Sequence, residues 1–320
     1  MLARRADLLI TVVLGAMLVW GGEALMQTLI DLTELPLGDG KISSGPVAGS
    51  IWSCTTSFGG GGAFQNGPWI HADGTFDYTA KAVVDGAVSW PHQFTTTLQG
   101  TSRILSGNYL PTHTTGVYPI SPTDDAYQYD RNPNAIAAQM LSVTLPAAPA
   151  QAAQARCLPM GAIGVLLTGS AFFNGLDAAG HDAVAHELQD RCQGHPEARG
   201  LYHYHNLSAC IDDSGTGHSP LVGYAFDGFG IYGHRGENGQ VLTDADLDEC
   251  HGHTHAVQWD GQTVALYHYH ATWEYPYTLG CYRGSPVSRA IGGPGGAPGG
   301  PPPGPPPGPA PGLPPGPGGR

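Results

Sequence analysis

Short apolar runs, interrupted by turn residues, extend through most of the chain. Residues 75–79 and 141–145 alternate between apolar and polar positions, as half-buried strands do. Residues 163–167 and 222–226 are continuous apolar runs, each followed by a two-residue turn and a second apolar run. We expect helix only in short stretches such as residues 182–188. The pattern therefore predicts a mainly β fold.

Four sequence blocks occur twice, in the same order, in the second half of the chain. Chance does not produce such agreement, so we predict a pseudo-twofold tandem duplication with repeats over residues 161–210 and 220–281. The matched blocks are residues 163–169 with 222–228, residues 172–173 with 231–232, Asp190-Arg-Cys-Gln-Gly-His195 with Asp248-Glu-Cys-His-Gly-His253, and Leu201-Tyr-His-Tyr-His205 with Leu266-Tyr-His-Tyr-His270.

These motifs resemble the YHYH domain family. The two Tyr-His-Tyr-His runs are similar to that family, and so are Asp227-Gly-Phe-Gly-Ile-Tyr-Gly233 and Tyr275-Pro-Tyr-Thr-Leu-Gly-Cys281. One departure is Thr168-Gly-Ser170, at the turn between two predicted strands. We expect a YHYH domain over residues 157–288. The resemblance implies no established reaction, so function has to be inferred from the residues themselves.

The first part of the chain divides by composition. Residues 1–24 combine Arg4 and Arg5 with an apolar run and small residues near position 24, which is typical of a signal peptide. The apolar run is short for a bilayer span, so we predict export to the periplasm, the cell surface or the medium. If the segment is not cleaved, it anchors the protein in the membrane. A linker is predicted over residues 25–49 and an N-terminal β region over residues 50–145.

The composition at the end of the chain and the overall charge argue against further classes of protein. Residues 291–320 are almost entirely Gly and Pro without a strict Gly-X-Y period, so we predict a disordered tail rather than collagen. The chain has 26 acidic against 13 basic residues. This balance argues against nucleic acid as a partner, because phosphate binding needs clustered Lys and Arg. We find no nucleophile elbow, phosphate loop or dinucleotide fingerprint.

Six cysteines in an exported chain favour disulfide bonds. Each repeat has one Cys before its Tyr-His-Tyr-His run and one after it, which predicts two pairs and leaves two cysteines for a third. A competing interpretation makes Cys192 and Cys250 thiolate ligands, since each begins a Cys-x-x-His spacing that suits zinc. The predicted pairs are Cys192 with Cys210, Cys250 with Cys281, and Cys54 with Cys157.

Histidines are the candidate metal ligands. Residues two apart in a strand point to the same face, so each Tyr-His-Tyr-His run presents two imidazoles together. The Cys-x-x-His arms add a third histidine to each repeat, and two more lie beside the second repeat. Imidazole ligation suits Zn or Cu rather than Ca. The candidates are His195, His203 and His205 in the first repeat, and His253, His268, His270, His251 and His255 in the second.

Three functions follow from this pattern. The first is a module that binds Zn or Cu through the duplicated His-x-His pairs. The second is a metal-dependent hydrolase or oxidase that uses the same residues around an open coordination position. The third is a disulfide-stabilised cell-surface module whose histidines are structural. Because each repeat contains three histidines of its own, we favour two separate metal sites over one shared site.

Overall fold

The structure, a computed structural model, describes residues 30–287. The predicted signal peptide and the predicted tail over residues 291–320 lie outside the described residues. Between these limits the fold is mainly β, as the apolar pattern predicts. No helix among residues 30–287 is long and apolar enough to cross a membrane.

The N-terminal part of the fold consists of small sheets. Two of them have two strands each, formed by the pairs β1–β4 and β2–β3. The third has three antiparallel strands in the order β5-β6-β7. The strands are β1 (Leu35–Pro36), β2 (Ile42–Ser43), β3 (Ile51–Trp52), β4 (Thr75–Phe76), β5 (Phe94–Gln99), β6 (Ser102–Gly107) and β7 (Leu141–Pro146).

One eight-stranded mixed sheet forms the second half of the fold. Its spatial order is β10-β11-β9-β8-β12-β13-β15-β14. The central pair, β8 and β12, is antiparallel. The strands are β8 (Ala162–Leu166), β9 (Ala171–Phe173), β10 (Gly194–Pro196), β11 (Tyr202–Tyr204), β12 (Leu221–Ala225), β13 (Gly230–Tyr232), β14 (Gly252–Trp259) and β15 (Gln262–His270).

The strand order is mirrored on either side of the central pair. On each side a hairpin is followed by a parallel strand that carries the Tyr-His-Tyr-His run, and an antiparallel strand completes the edge. At the centre, a Cβ on Gly164 would lie 2.6 Å from the Tyr224 carbonyl oxygen, and one on Gly223 2.7 Å from that of Val165. Glycine at both matched positions therefore permits the close approach. Two copies of one unit would give this order; the duplication itself stays a prediction.

The helix expected within residues 182–188 corresponds to a short element. Helix α1 (Ala183–His186) begins at Asp182, whose carboxylate accepts hydrogen bonds from the backbone N–H groups of Val184 and Ala185. A second acidic segment forms a 3₁₀ helix (Asp244–Asp246). A further 3₁₀ helix (Asp125–Gln128) lies in the N-terminal part. Side-chain caps satisfy backbone N–H groups that have no partner within so short a helix.

One hydrophobic core joins the small sheets to the eight-stranded sheet. Arg103, on β6, is 2% exposed and donates two hydrogen bonds to the Asp260 carboxylate and one to the Tyr224 hydroxyl. The described part of the predicted linker over residues 25–49 contains β1 and β2, and Leu35 in β1 is buried in the core and pairs with Phe76.

All six cysteines are paired, as the sequence predicts. The thiolate interpretation of Cys192 and Cys250 is therefore wrong for this structure, because both sulfurs are bonded to another sulfur. The disulfides are Cys54–Cys157, Cys192–Cys210 and Cys250–Cys281.

Candidate metal centres

The first candidate centre lies at one edge of the eight-stranded sheet, and we call it the first histidine site. β10 and β11 pair so that His195 stands directly opposite His203. His205 follows β11 and points to the same face, with its ring centroid 4.9 Å from that of His203. Phe173 stacks on the His203 ring at 3.7 Å between centroids. The three histidines are 2–3% exposed and each offers a ring nitrogen within 4.8 Å of the others.

The second histidine site lies at the opposite edge, on β14 and β15. His253 stands directly opposite His268 in the strand register. Tyr232 takes the place of Phe173 here, with its ring centroid 4.9 Å from that of His268. Five histidines bring one ring nitrogen each to within 4.8 Å of one another: His218, His253, His255, His268 and His270.

The two sites are separate because of the sheet order. Five strand-to-strand steps lie between β11 and β15, which corresponds to about 24 Å at roughly 4.8 Å per step. The two Tyr-His-Tyr-His runs therefore do not converge on the axis between the halves. This is the arrangement that the three histidines of each repeat favour.

Backbone carbonyls determine which ring nitrogen carries the proton in most of these histidines. A carbonyl only accepts hydrogen bonds, so a neutral imidazole that contacts one through Nδ1 has its proton there and a lone pair on Nε2. The two histidines of each Tyr-His-Tyr-His run make such an Nδ1 contact at matched positions in the two halves. Two further histidines of the second site also contact a carbonyl through Nδ1. The contacts are His203 with Leu201 O (3.1 Å), His268 with Leu266 O (2.8 Å), His205 with Asn174 O (2.6 Å), His270 with Gly233 O (2.7 Å), His218 with Ser219 O (2.7 Å) and His255 with Ala256 O (3.1 Å).

The lone pairs of the first site face each other. Nε2 of His203 lies 3.1 Å from Nε2 of His205, and neither nitrogen has a proton in the neutral tautomers that the carbonyls select. The carboxylate of Glu187 also faces the site, with Oε2 3.3 Å from Nε2 of His205 and 3.4 Å from Nε2 of His195. Lone pairs and a carboxylate oxygen at these separations repel one another unless a cation lies among them.

Burial favours the neutral form of His195 and His203 in the first site. It holds the pKa of His195 and of His203 well below the usual value, and the neighbouring rings act in the same direction. Both nitrogens of His195 are buried and have no hydrogen-bond partner among the described residues. A neutral imidazole with a free lone pair is the form that ligates a metal.

The second site has the same character with more donors. Burial lowers the pKa of His268 to about 3 and that of His253 to about 4, with the other histidines of the site adding to the effect. The pKa of His270 also lies well below the usual value, again chiefly because of burial. Nε2 of His218, His268 and His270 is buried, and no partner for it occurs within residues 30–287. The Nε2 lone pairs of these three imidazoles are therefore available to a metal ion.

His251 does not belong to the second site, although its position in the sequence suggests it. Its backbone has φ 72°, and the matched residue of the first half, Gln193, has φ 58°. This left-handed turn directs the His251 ring away from the other histidines. Its Nε2 lies 3.0 Å from Thr272 Oγ1, and its Nδ1 lies 3.5 Å from Asp244 Oδ1.

Two residues at the sites, Glu187 and His218, are not among the ligands that the sequence pattern predicts. Glu187 follows α1 and reaches the first site from outside the repeated blocks. His218 precedes β12, and its matched position in the first half is Pro159, so the repeat contains no signal for it. Both residues belong to the histidines and carboxylates near the repeats. Because many other residues belong to the same set, residue type alone does not identify these two as ligands.

The tyrosines of the two runs lie on the other face of the sheet, where their hydroxyls donate hydrogen bonds to turn residues. Tyr204 donates to Thr168 Oγ1 at 3.1 Å, and Tyr269 donates to Asp227 Oδ2. Thr168 and Asp227 are matched turn residues, so the departure at Thr168-Gly-Ser170 preserves the hydroxyl contact. Asp227 also accepts hydrogen bonds from the backbone N–H groups of Phe229 and Gly284, which makes it a structural residue.

Comparison with known families agrees with the motifs. The family model described as YHYH protein matches residues 142–241, from β7 to beyond β13. The chain therefore contains a YHYH domain, and the resemblance is confirmed over this segment. The matched segment includes the first histidine site and His218. No curated protein and no solved structure matches the chain.

Proposed function

We propose that the protein binds two transition metal ions, Zn or Cu, one at each histidine site. The observation that carries the proposal is the set of Nδ1 contacts with backbone carbonyls. These contacts leave the Nε2 lone pairs of each site directed at one another, and burial holds the pKa of the innermost rings well below the usual value: those of His195, His203, His268 and His270. Metal-bound histidines in proteins are held in the same way, with the second ring nitrogen donating to a carbonyl or carboxylate.

The donor sets fit this assignment. The first site offers three imidazoles and the Glu187 carboxylate, which is a four-ligand set of the kind that zinc takes. The second site offers five imidazoles, and imidazole suits both Zn and Cu. A structural role for the histidines alone would use Nε2 in hydrogen bonds, whereas four of these nitrogens are buried without a partner among residues 30–287: those of His195, His218, His268 and His270.

Metal analysis of paired variants tests the proposal. The purified protein, reconstituted with Zn(II) or Cu(II) and desalted, should hold two equivalents by elemental analysis. His203→Ala/His205→Ala and His268→Ala/His270→Ala should each hold one. His71→Ala/His181→Ala alters two histidines outside both sites and should retain two equivalents.

Two results would contradict it. A parent protein that holds no metal after reconstitution leaves the histidines with a structural role. Loss of both equivalents from His268→Ala/His270→Ala, with circular dichroism and disulfides unchanged, would establish one shared site instead of two.

We also propose that the protein is exported. Three disulfides support this, because disulfides persist in oxidising compartments and are rare in the cytosol. The mature protein should then begin near Leu25. Intact mass measured on material from outside the cytoplasm tests this start, and a mass that includes Met1 would mean that the segment is retained as an anchor.

A further inference from the structure

The donor atoms of the first site are spaced much as the corners of a tetrahedron are. Nε2 of His205 lies 3.1 Å from Nε2 of His203 and 3.3 Å from Oε2 of Glu187, and the same oxygen lies 3.4 Å from Nε2 of His195. Neighbouring donors around a tetrahedral Zn(II) with bonds of about 2.0–2.1 Å are about 3.3–3.4 Å apart. Around a tetragonal Cu(II) with bonds of the same length they are about 2.8–3.0 Å apart. Both spacings that involve Glu187 match the tetrahedron, and the third lies between the two geometries.

Close packing holds the first site in this geometry. All three imidazoles are buried, and Phe173 stacks on the His203 ring at 3.7 Å between centroids. The Nδ1 contacts of His203 and His205 with backbone carbonyls fix the orientation of both rings. Because buried side chains are close-packed, rings that rearrange also displace their neighbours. The first site therefore resists the flattening of its donor set that Cu(II) favours.

The second site differs in the number, the kind and the freedom of its donors. Its five donors are all imidazoles, which is one more donor than a tetrahedral ion takes. Nε2 of His253 and Nε2 of His255 are 3.0 Å apart, a spacing that neighbouring donors around a tetragonal ion have (about 2.8–3.0 Å). The rings of His218, His253 and His255 are partly exposed, so they have more room to adjust than the rings of the first site. Four or five nitrogen donors of this kind suit Cu(II).

We propose that the protein binds two different metals, Zn(II) in the first site and Cu(II) in the second. The inference rests on the proposed metal binding and assigns one metal to each site. Cu(II) binds most nitrogen and oxygen sites more tightly than Zn(II) does, so a protein selects between the two ions by geometry and by donor type. The two histidine sites differ in both respects. Because Zn(II) does not change its oxidation state, redox change of a bound metal is confined to the second site.

Electron paramagnetic resonance tests the assignment, because Cu(II) gives a signal and Zn(II) does not. Two variants that each keep one site provide reference spectra after loading with Cu(II). His203→Ala/His205→Ala keeps the second site, and His268→Ala/His270→Ala keeps the first. The first-site reference should show coupling to fewer nitrogen atoms than the second-site reference. The same substitutions to Gln give a second pair of references, for use where truncation to Ala disrupts the sheet.

The parent is then loaded with one equivalent each of Zn(II) and Cu(II). With one ion of each metal for two sites, the distribution depends on the difference between the two preferences, even where Cu(II) binds more tightly at both sites. We expect one equivalent of each metal by elemental analysis. In the Cu(II) spectrum, the second-site reference should exceed the first-site reference about tenfold. His71→Ala/His181→Ala, which alters two histidines outside both sites, is the matched control and should give the distribution of the parent.

Three outcomes overturn the inference. Equal shares of the two references, or an excess of the first-site reference, would show that the sites do not select between the metals as proposed, while the binding of two ions stands. Reference spectra that coincide would show that the two sites coordinate Cu(II) in the same way, which removes the basis of the selection. If the parent binds no metal, the proposed function fails, and this inference fails with it.

Discussion

The hydroxyl of Tyr202 donates to both carboxylate oxygens of Asp190, at 3.0 and 2.9 Å. The same carboxylate accepts hydrogen bonds from the backbone N–H groups of Cys192 and Gly194, so it closes the turn that leads into His195. The second half repeats the arrangement with matched residues, Tyr267 and Asp248. The first tyrosine of each Tyr-His-Tyr-His run, Tyr202 or Tyr267, thus stabilises the turn that leads into the third histidine of its site.

Replacing Tyr202 should lower the free energy of unfolding. Tyr202→Phe removes one hydrogen bond to a buried carboxylate, and such bonds contribute about 1.5–3 kcal/mol to the free energy of unfolding. We expect a loss of about 2 kcal/mol in urea denaturation. Tyr127→Phe is the matched control, since no hydrogen bond of its hydroxyl occurs among residues 30–287. Equal stabilities for the two variants would show that the Tyr202 contact contributes nothing.

The sequence predicts the parts of this architecture that depend on local spacing. Period two along a strand places His203 with His205, and the repeated positions of the cysteines predict the disulfides. The same repeat predicts a His195 beside one run and a His253 beside the other.

The remaining contacts depend on tertiary packing that the pattern does not specify. His218 reaches the second site from the segment before β12, where the matched position of the first half is Pro159, so the repeat does not predict it. Glu187 reaches the first site because α1 ends beside β10, which is a consequence of packing. The sequence predicts His251 at the second site because it adjoins His253. A left-handed turn at that position reverses the direction of its side chain.

The disulfides should contribute to stability according to the chain length that each closes. In the chain-entropy account, a bond between residues 18 apart contributes about 3 kcal/mol and one between residues 103 apart about 4.7 kcal/mol. We therefore expect Cys54→Ala/Cys157→Ala to lower the free energy of unfolding more than Cys192→Ala/Cys210→Ala does. Guanidinium denaturation without reductant measures the difference. The reverse order would mean that residual structure in the unfolded chain, rather than loop length, dominates.

Asp244 should make stability depend on pH. Burial, helped by the negative charge of Glu274, raises its pKa from 3.8 to about 7. Between these values the folded protein holds a proton that the unfolded chain releases, so this group's contribution is complete at low pH and is lost as pH rises through 7. Relative to Asp244→Asn, the parent should lose about 2–3 kcal/mol between pH 5 and 8.

Urea denaturation of both proteins at the two pH values measures this change. Asp125→Asn, at an exposed position in the N-terminal 3₁₀ helix, is the control and should follow the parent at each pH. If Asp244→Asn also follows the parent, Asp244 is already ionised in the folded protein at pH 5.

Glu187 should distinguish the two metal sites. Its Oε2 lies 3.3 and 3.4 Å from nitrogens of His205 and His195, and its negative charge favours a cation between them. Glu187→Gln retains the size of the side chain but removes the charge. We expect the Zn(II) affinity of the first site to fall about 10–100-fold, the range found when groups that support a metal site are removed, with the second site unchanged. Competition with a chromophoric chelator resolves the two affinities.

Glu34→Gln is the control, because Glu34 is exposed and lies far from Glu187 in the sequence. This variant should bind Zn(II) as the parent does. An unchanged first-site affinity in Glu187→Gln would exclude the carboxylate from the coordination of the ion and leave a three-histidine site.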